Sequence, residues 1–157
     1  MQIRSLTAQD DAAVAALVRS CLQAANLDQP GTAYFDPQLD HLSAFYATTP
    51  KRAYFVLVDD LDRVIGGCGI GEYQGTVAEL QKLYIAPIAR GQGASHRLMQ
   101  ACEAFAKKAG YTQLYLETHH NLGVAIALYE HSGYRQLPAP LHAGPHTTMD
   151  YFFIKDL

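Results

Sequence analysis

The stretch that most limits how this chain can fold runs from Ala78 to Ala109. Its first part, Ala78-Glu79-Leu80-Gln81-Lys82-Leu83-Tyr84-Ile85, reads as a strand whose apolar run from Leu80 to Ile85 is stopped by Pro87. Its last part sets Leu98, Cys102, Phe105 and Ala109 four, three and four residues apart, the spacing of one helix face. Between them lies Arg90-Gly91-Gln92-Gly93-Ala94-Ser95. A glycine turn joining a strand to a helix can aim several backbone N–H groups at one point, and the helix adds the positive end of its dipole. The product is an anion site suited to a pyrophosphate.

Spacing separates the proteins that use such a turn. A nucleotide-hydrolysing P-loop requires Gly-Lys-Ser/Thr to reach the terminal phosphates and Mg²⁺, whereas Gly93 is followed by Ala94 and Ser95. A dinucleotide fold requires three spaced glycines after an early strand, and this turn supplies only Gly91 and Gly93. The turn is similar instead to the acyl-CoA-binding turn of the GCN5-related N-acetyltransferase (GNAT) family, Gln/Arg-x-x-Gly-x-Gly/Ala. Arg90 and Gly93 match, and Ser95 stands where the family prefers glycine or alanine. The strand from Ala78 to Ile85 resembles that family's central strand. A second motif lies downstream: Asn121-Leu122-Gly123-Val124-Ala125-Ile126-Ala127-Leu128-Tyr129-Glu130-His131-Ser132-Gly133-Tyr134 matches the family's Asn-x-x-x-Ala-x-x-Leu-Tyr-x-x-x-Gly-Phe/Tyr pattern.

The resemblance implies a single α/β domain over residues 1–157: a twisted, mixed, mostly antiparallel sheet flanked by helices. The fourth and fifth strands would splay so that the pantetheine arm of acetyl-CoA enters between them. It implies that Arg90, Gly91, Gln92, Gly93, Ala94 and Ser95 wrap the pyrophosphate. Leu83, Tyr84 and Ile85 would meet the pantetheine as an added strand does, with the Leu83 N–H serving the acyl oxyanion. Asn121 could contact the pantetheine and equally serve as a plain helix N-cap or turn residue, and the two roles are compatible.

Acyl transfer to an amine also needs a neutral nitrogen, because an alkylammonium with a pKa near ~10.4 stays charged at neutral pH. Glu79 matches the position of a general base in some relatives, and is otherwise a solvated strand carboxylate. The leaving thiolate needs a proton donor, which the resemblance assigns to Tyr129; the plain alternative is a core aromatic. The reading is an acetyl-CoA-dependent N-acetyltransferase working by direct transfer in a ternary complex. Its rival is a non-catalytic acyl-CoA sensor, which has no use for Glu79 or Tyr129.

The rest of the sequence is consistent with one mixed domain. Ile3 to Leu6 opens as a strand, and Thr7-Ala8-Gln9-Asp10 has the form of a capping box before a helix bearing Val14, Leu17, Val18 and Cys21. Asp36-Pro37 is expected to start a second helix carrying Leu39, Leu42, Phe45 and Tyr46. Ala53–Val58 and Val64–Ile70 form a hairpin, with the Gly66-Gly67-Cys68-Gly69 run suggesting a bulge or a close backbone approach. Strands follow over Gln113–Glu117 and from Tyr134, a short helix spans Val124–His131, and Thr148–Ile154 is an aromatic last strand facing either a core or a homodimer partner.

A net charge of −3, from 12 Lys and Arg against 15 Asp and Glu, leaves no basic footprint for nucleic acid. Three scattered cysteines, Cys21, Cys68 and Cys102, read as reduced thiols of a cytoplasmic protein, and no apolar run suits a membrane. His119 and His120 are adjacent, so their side chains are expected to diverge, and no metal site is expected. His142 and His146 belong to a Pro-, Gly- and His-rich loop over Leu137–Thr147 that is expected to border the acceptor, a small-molecule or peptide amine.

Overall fold

The computed structural model describes residues 1–157, with seven strands in one sheet. They are β1 (Gln2–Ser5), β2 (Ala53–Val58), β3 (Val64–Gln74), β4 (Val77–Ile85), β5 (Gln113–Thr118), β6 (Arg135–Leu137) and β7 (Tyr151–Asp156), in the spatial order β1-β2-β3-β4-β5-β7-β6. Only β4 and β5 run parallel. Their pairing covers Val77–Glu79 against Gln113–Tyr115 and then stops. Beyond it β4 stays with β3 while β5 stays with β7, so the sheet opens between them. This is the expected mixed, mostly antiparallel α/β fold with its central strands apart.

Four helices cover the two faces: α1 (Asp11–Ala24), α2 (Leu42–Tyr46), α3 (Ala94–Lys108) and α4 (Gly123–His131). The alternation of β2 divides the core. Tyr54, Val56 and Val58 join Val14, Val18, Leu22 and Leu42 beneath α1 and α2, while Leu57 joins Cys68, Leu98, Met99 and Cys102 beneath α3. The capping box forms as expected, and the buried Asp10 carboxylate also takes both Arg4 guanidinium nitrogens at 2.8 and 2.9 Å. No helix is long and apolar enough to cross a membrane.

Two local expectations are corrected. The second helix does not begin at Asp36-Pro37: a single tight turn spans Leu39–His41, and α2 starts only at Leu42. Asp36 is instead turned inward, 2.7 Å from both Lys82 and His146, and so caps nothing. The last strand begins at Tyr151, because Thr148 is diverted to bond the carbonyls of Gly31 and Pro30.

Of the two roles expected for the glycines of β3, the close approach is the one they fill. The bulge lies across from them, on β4: Gly69 faces Gln81 and Gly67 faces Tyr84, leaving Lys82 and Leu83 against Cys68 alone. Lys82 adopts φ 50°, the left-handed conformation that one class of bulge uses. The glycines supply the close approach. A Cβ on Gly67 would lie 2.6 Å from the Tyr54 ring, and one on Gly69 would lie 2.7 Å from Tyr54 and 2.8 Å from Tyr46. Across that bare strip the Tyr54 hydroxyl reaches the Lys82 carbonyl at 3.0 Å and holds the bulge.

Candidate active site

Two cavities share β4. The first, about 330 Å³, occupies the opening between the parted strands and is lined mainly by apolar groups. Leu83, Tyr84 and Ile85 form one wall, Asn121 to Ala125 and Leu128 the other, and Arg90 and Ser95 close one end. Gly91 and Gly93 sit at φ 73° and 72°, where a side chain would be strained, although a Cβ on either would meet no neighbour. Backbone conformation, not crowding, therefore fixes these two positions.

Gly91, Gln92 and Gly93 form the exposed turn, Ala94 is buried beneath it, and no side chain caps the first turn of α3. Its N–H groups remain available, with the dipole of a 15-residue helix behind them. The Arg90 side chain folds back to bond the Ile85 carbonyl at 3.1 Å, and Gln92 bonds the Ile88 carbonyl at 3.0 Å. An apolar slot ending in a glycine turn fits the chemistry of a pantetheine arm followed by a pyrophosphate. Asn121 lies on this slot, but its amide donates to the Ala25 carbonyl at 2.8 Å, tying α4 to the end of α1. It is not the helix cap, a place taken by Leu122.

The second cavity, about 650 Å³, lies on the other side of the bulge and is polar. Glu79, Gln81 and Lys82 of β4, Glu117 of β5, Asp36, Phe45 and the segment from His142 to His146 line it. Its charges divide unequally. Asp36 is matched by Lys82 and His146, and Glu72 is matched by Arg52 at 2.6 Å. Glu79 and Glu117 have no cationic partner: Glu79 accepts from Gln81 at 2.8 Å and Glu117 from the Tyr115 hydroxyl at 2.9 Å.

Burial pushes the Glu79 carboxyl above its ordinary value against the opposing pull of the Gln81 amide, His146 and Lys82. Burial likewise raises Glu117, and the nearby charge of Glu79 adds to the rise. Such carboxyls hold or release a proton closer to neutrality than exposed ones.

Residues 15–134 match the model of the acetyltransferase (GNAT) family. The chain belongs to that family. The uncharacterized N-acetyltransferase YjgM of Escherichia coli K12 is 35% identical to it over 159 residues, covering 99% of this chain and 94% of the relative. A GNAT-family acetyltransferase from Staphylococcus aureus Mu50 superposes with a TM-score of 0.89 at 14% identity, over 99% of this chain and 98% of that one. The PaiA N-acetyltransferase of Thermoplasma acidophilum, solved with coenzyme A, superposes with a TM-score of 0.75 at 16% identity, over 99% and 98% of the two chains.

Within this GNAT fold the two motif residues with expected chemistry sit differently. Glu79 lies on the polar cavity. Tyr129 lies behind the wall of the apolar one, its ring buried against Tyr134 and Phe153 at centroid distances of 5.8 and 5.9 Å. Burial drives its phenol well above the ordinary value, with the Cys68 and Tyr84 groups adding to the rise. Its hydroxyl makes no hydrogen bond within the chain.

His119 and His120 do not diverge: their rings stack with centroids 4.1 Å apart. The His119 Nδ1 accepts from the Asn121 N–H at 3.0 Å, within the loop, and the His120 Nδ1 is 2.5 Å from Asp150, just before β7. Sequence reasoning missed Glu117, Gln81 and the Asp36–Lys82 pair. Glu117 had only a partial signal, its strand parity with Tyr115; that Tyr115 registers with Glu79 is a fact of the folded sheet. Asp36 had none, being brought to Lys82 from 46 residues away by the packing of the loop before α2.

Proposed function

We propose that the protein is an acetyl-CoA-dependent N-acetyltransferase that passes the acetyl group directly to a primary amine in a ternary complex. The observation that carries this reading is the division of one strand: Leu83 to Ile85 line the apolar slot, and Glu79, Gln81 and Lys82 line the carboxylate-bearing cavity. A thioester held in the first and an amine held in the second would meet at the bulge.

The acceptor enters as an ammonium, drawn by the unmatched Glu79 and Glu117. Glu79 takes its proton, directly or through water, and the freed nitrogen adds to the thioester carbonyl carbon. The oxyanion is met by the Leu83 N–H. Collapse breaks the C–S bond, and the second proton of the nitrogen passes to the departing sulfur, directly or through water, so that coenzyme A leaves as the thiol. A phenol near ~10 already lies above a thiol near ~8.5, and burial widens that gap. Tyr129 therefore assists the thiolate by donating a hydrogen bond while keeping its proton.

Direct transfer is supported by the cysteines. Cys68 and Cys102 are sealed in the core, and burial raises the thiol of Cys21, the one cysteine on the slot. The deciding experiment measures acetyl-CoA-dependent thiol release against a panel of small amines and lysine peptides, with coenzyme A binding as a control. Turnover on one class establishes the activity; binding without turnover on any class favours the sensor.

A further inference from the structure

The base proposed above does not stand alone. Gln81 reaches it with one end and Tyr46 with the other: the Gln81 Nε2 donates to the Glu79 Oε2 at 2.8 Å, and the Tyr46 hydroxyl donates to the Gln81 Oε1 at 2.7 Å. Tyr46 comes from α2, beyond β3, and can reach β4 only because residue 69 is glycine. Its ring is buried and fixed by Phe45 at a centroid distance of 5.0 Å and by Tyr54 at 5.3 Å.

The chemistry of the chain is directional. An amide has a donor end and an acceptor end, whereas an ionised carboxylate only accepts. With its carbonyl occupied by the Tyr46 hydroxyl, Gln81 must turn its NH₂ toward Glu79. Resting on the proposed N-acetyltransferase reading, we propose that Tyr46 is a positioning residue, which through Gln81 keeps Glu79 in the ionised form able to take a proton from the acceptor. The other groups facing Glu79 are His146 and Lys82, which favour its charge, and Asp36 and Glu117, which oppose it; the Tyr73 phenol also stands near. Asp36 is already matched by the first two, so the Gln81 amide is the one hydrogen bond donor committed to Glu79.

The test uses Tyr46→Phe, which keeps the ring and its packing and removes only the donor. Freed from Tyr46, the amide can present its carbonyl to Glu79, which favours the protonated carboxyl. The expected result is an acid limb of the kcat/KM profile displaced to higher pH by about one unit, roughly a tenfold loss on the acid side. Gln81→Leu should shift it at least as far, and the double variant should shift it no further than Gln81→Leu alone. Carboxyl ¹³C NMR titration of Glu79, assigned by the signal lost in Glu79→Gln, reads the same displacement without turnover. Failure of the catalytic reading thus leaves this inference testable. Superposed titrations of the parent and Tyr46→Phe, or additive shifts in the double variant, overturn it.

Discussion

The proposed mechanism gives Tyr129 and Glu79 different kinds of chemistry, and their substitutions should part accordingly. Tyr129→Phe keeps the ring that packs on Tyr134 and Phe153, so folding and coenzyme A affinity should hold while kcat falls by ~10²-fold. Steady-state kinetics beside calorimetric coenzyme A binding checks both; unchanged turnover would remove Tyr129 from the mechanism. Glu79→Gln should lower kcat by a similar factor and raise the melting temperature. The sign follows from linkage. A folded value lifted by burial above the ordinary 4.5 gives stability present below 4.5 and lost as pH rises through the folded value. At neutral pH the ionised carboxylate is thus a cost that glutamine relieves, so the gain should vanish in acid, as melting curves at pH 4 and 8 would reveal. Glu79 was readable from its motif. The lack of a countercharge was not, because it depends on where Asp36 sends Lys82.

At the scale of elements, the glycine strip of β3 lets the core side support the chemical side. Gly67 and Gly69 leave room for the Tyr54 and Tyr46 rings, and those two hydroxyls hold the Lys82 carbonyl and the Gln81 amide. Gly69→Ala places a methyl group within 2.8 Å of two buried rings and should cost roughly 2 kcal/mol, measurable by urea unfolding, with a loss of activity larger than the loss of folded protein. The sequence announced that something must approach Gly66 to Gly69, and two tyrosines do. It did not place the bulge on β4, since an extra residue in one strand shows only once the partner's register is known. The late starts of α2 and β7 have the same origin. Asp36 and Thr148 have local roles that propensity reads, and distant partners that it does not.

Across the molecule, the site is made by two sheet halves that part after three registered pairs. The apolar slot lies in that opening, with Asn121 tethered to the end of α1 and the glycine turn at its mouth. A ligand filling it would tie β4, α3, α4 and the end of α1 together. Coenzyme A at a hundred times its Kd should add about 2.7 kcal/mol of stability, a rise of roughly 5–10 °C for a domain of this size. Scanning fluorimetry checks this, and adenosine without the pantetheine arm should give only a small part of it.

The sequence by itself determined the parts that are local and periodic: the order of strands and helices, the glycine turn at Gly91 and Gly93, the capping box at Asp10 and the two family motifs. These depend on residues within a few positions of one another, where backbone sterics and side-chain spacing act directly. Only the tertiary structure decided which charges are left over. Lys82 could have answered Glu79 or Glu117, and it answers Asp36, because the loop before α2 delivers that carboxylate to 2.7 Å. What remains is a cavity with two carboxylates lacking a cation beside an apolar slot, and that balance is a sum over segments far apart in the chain.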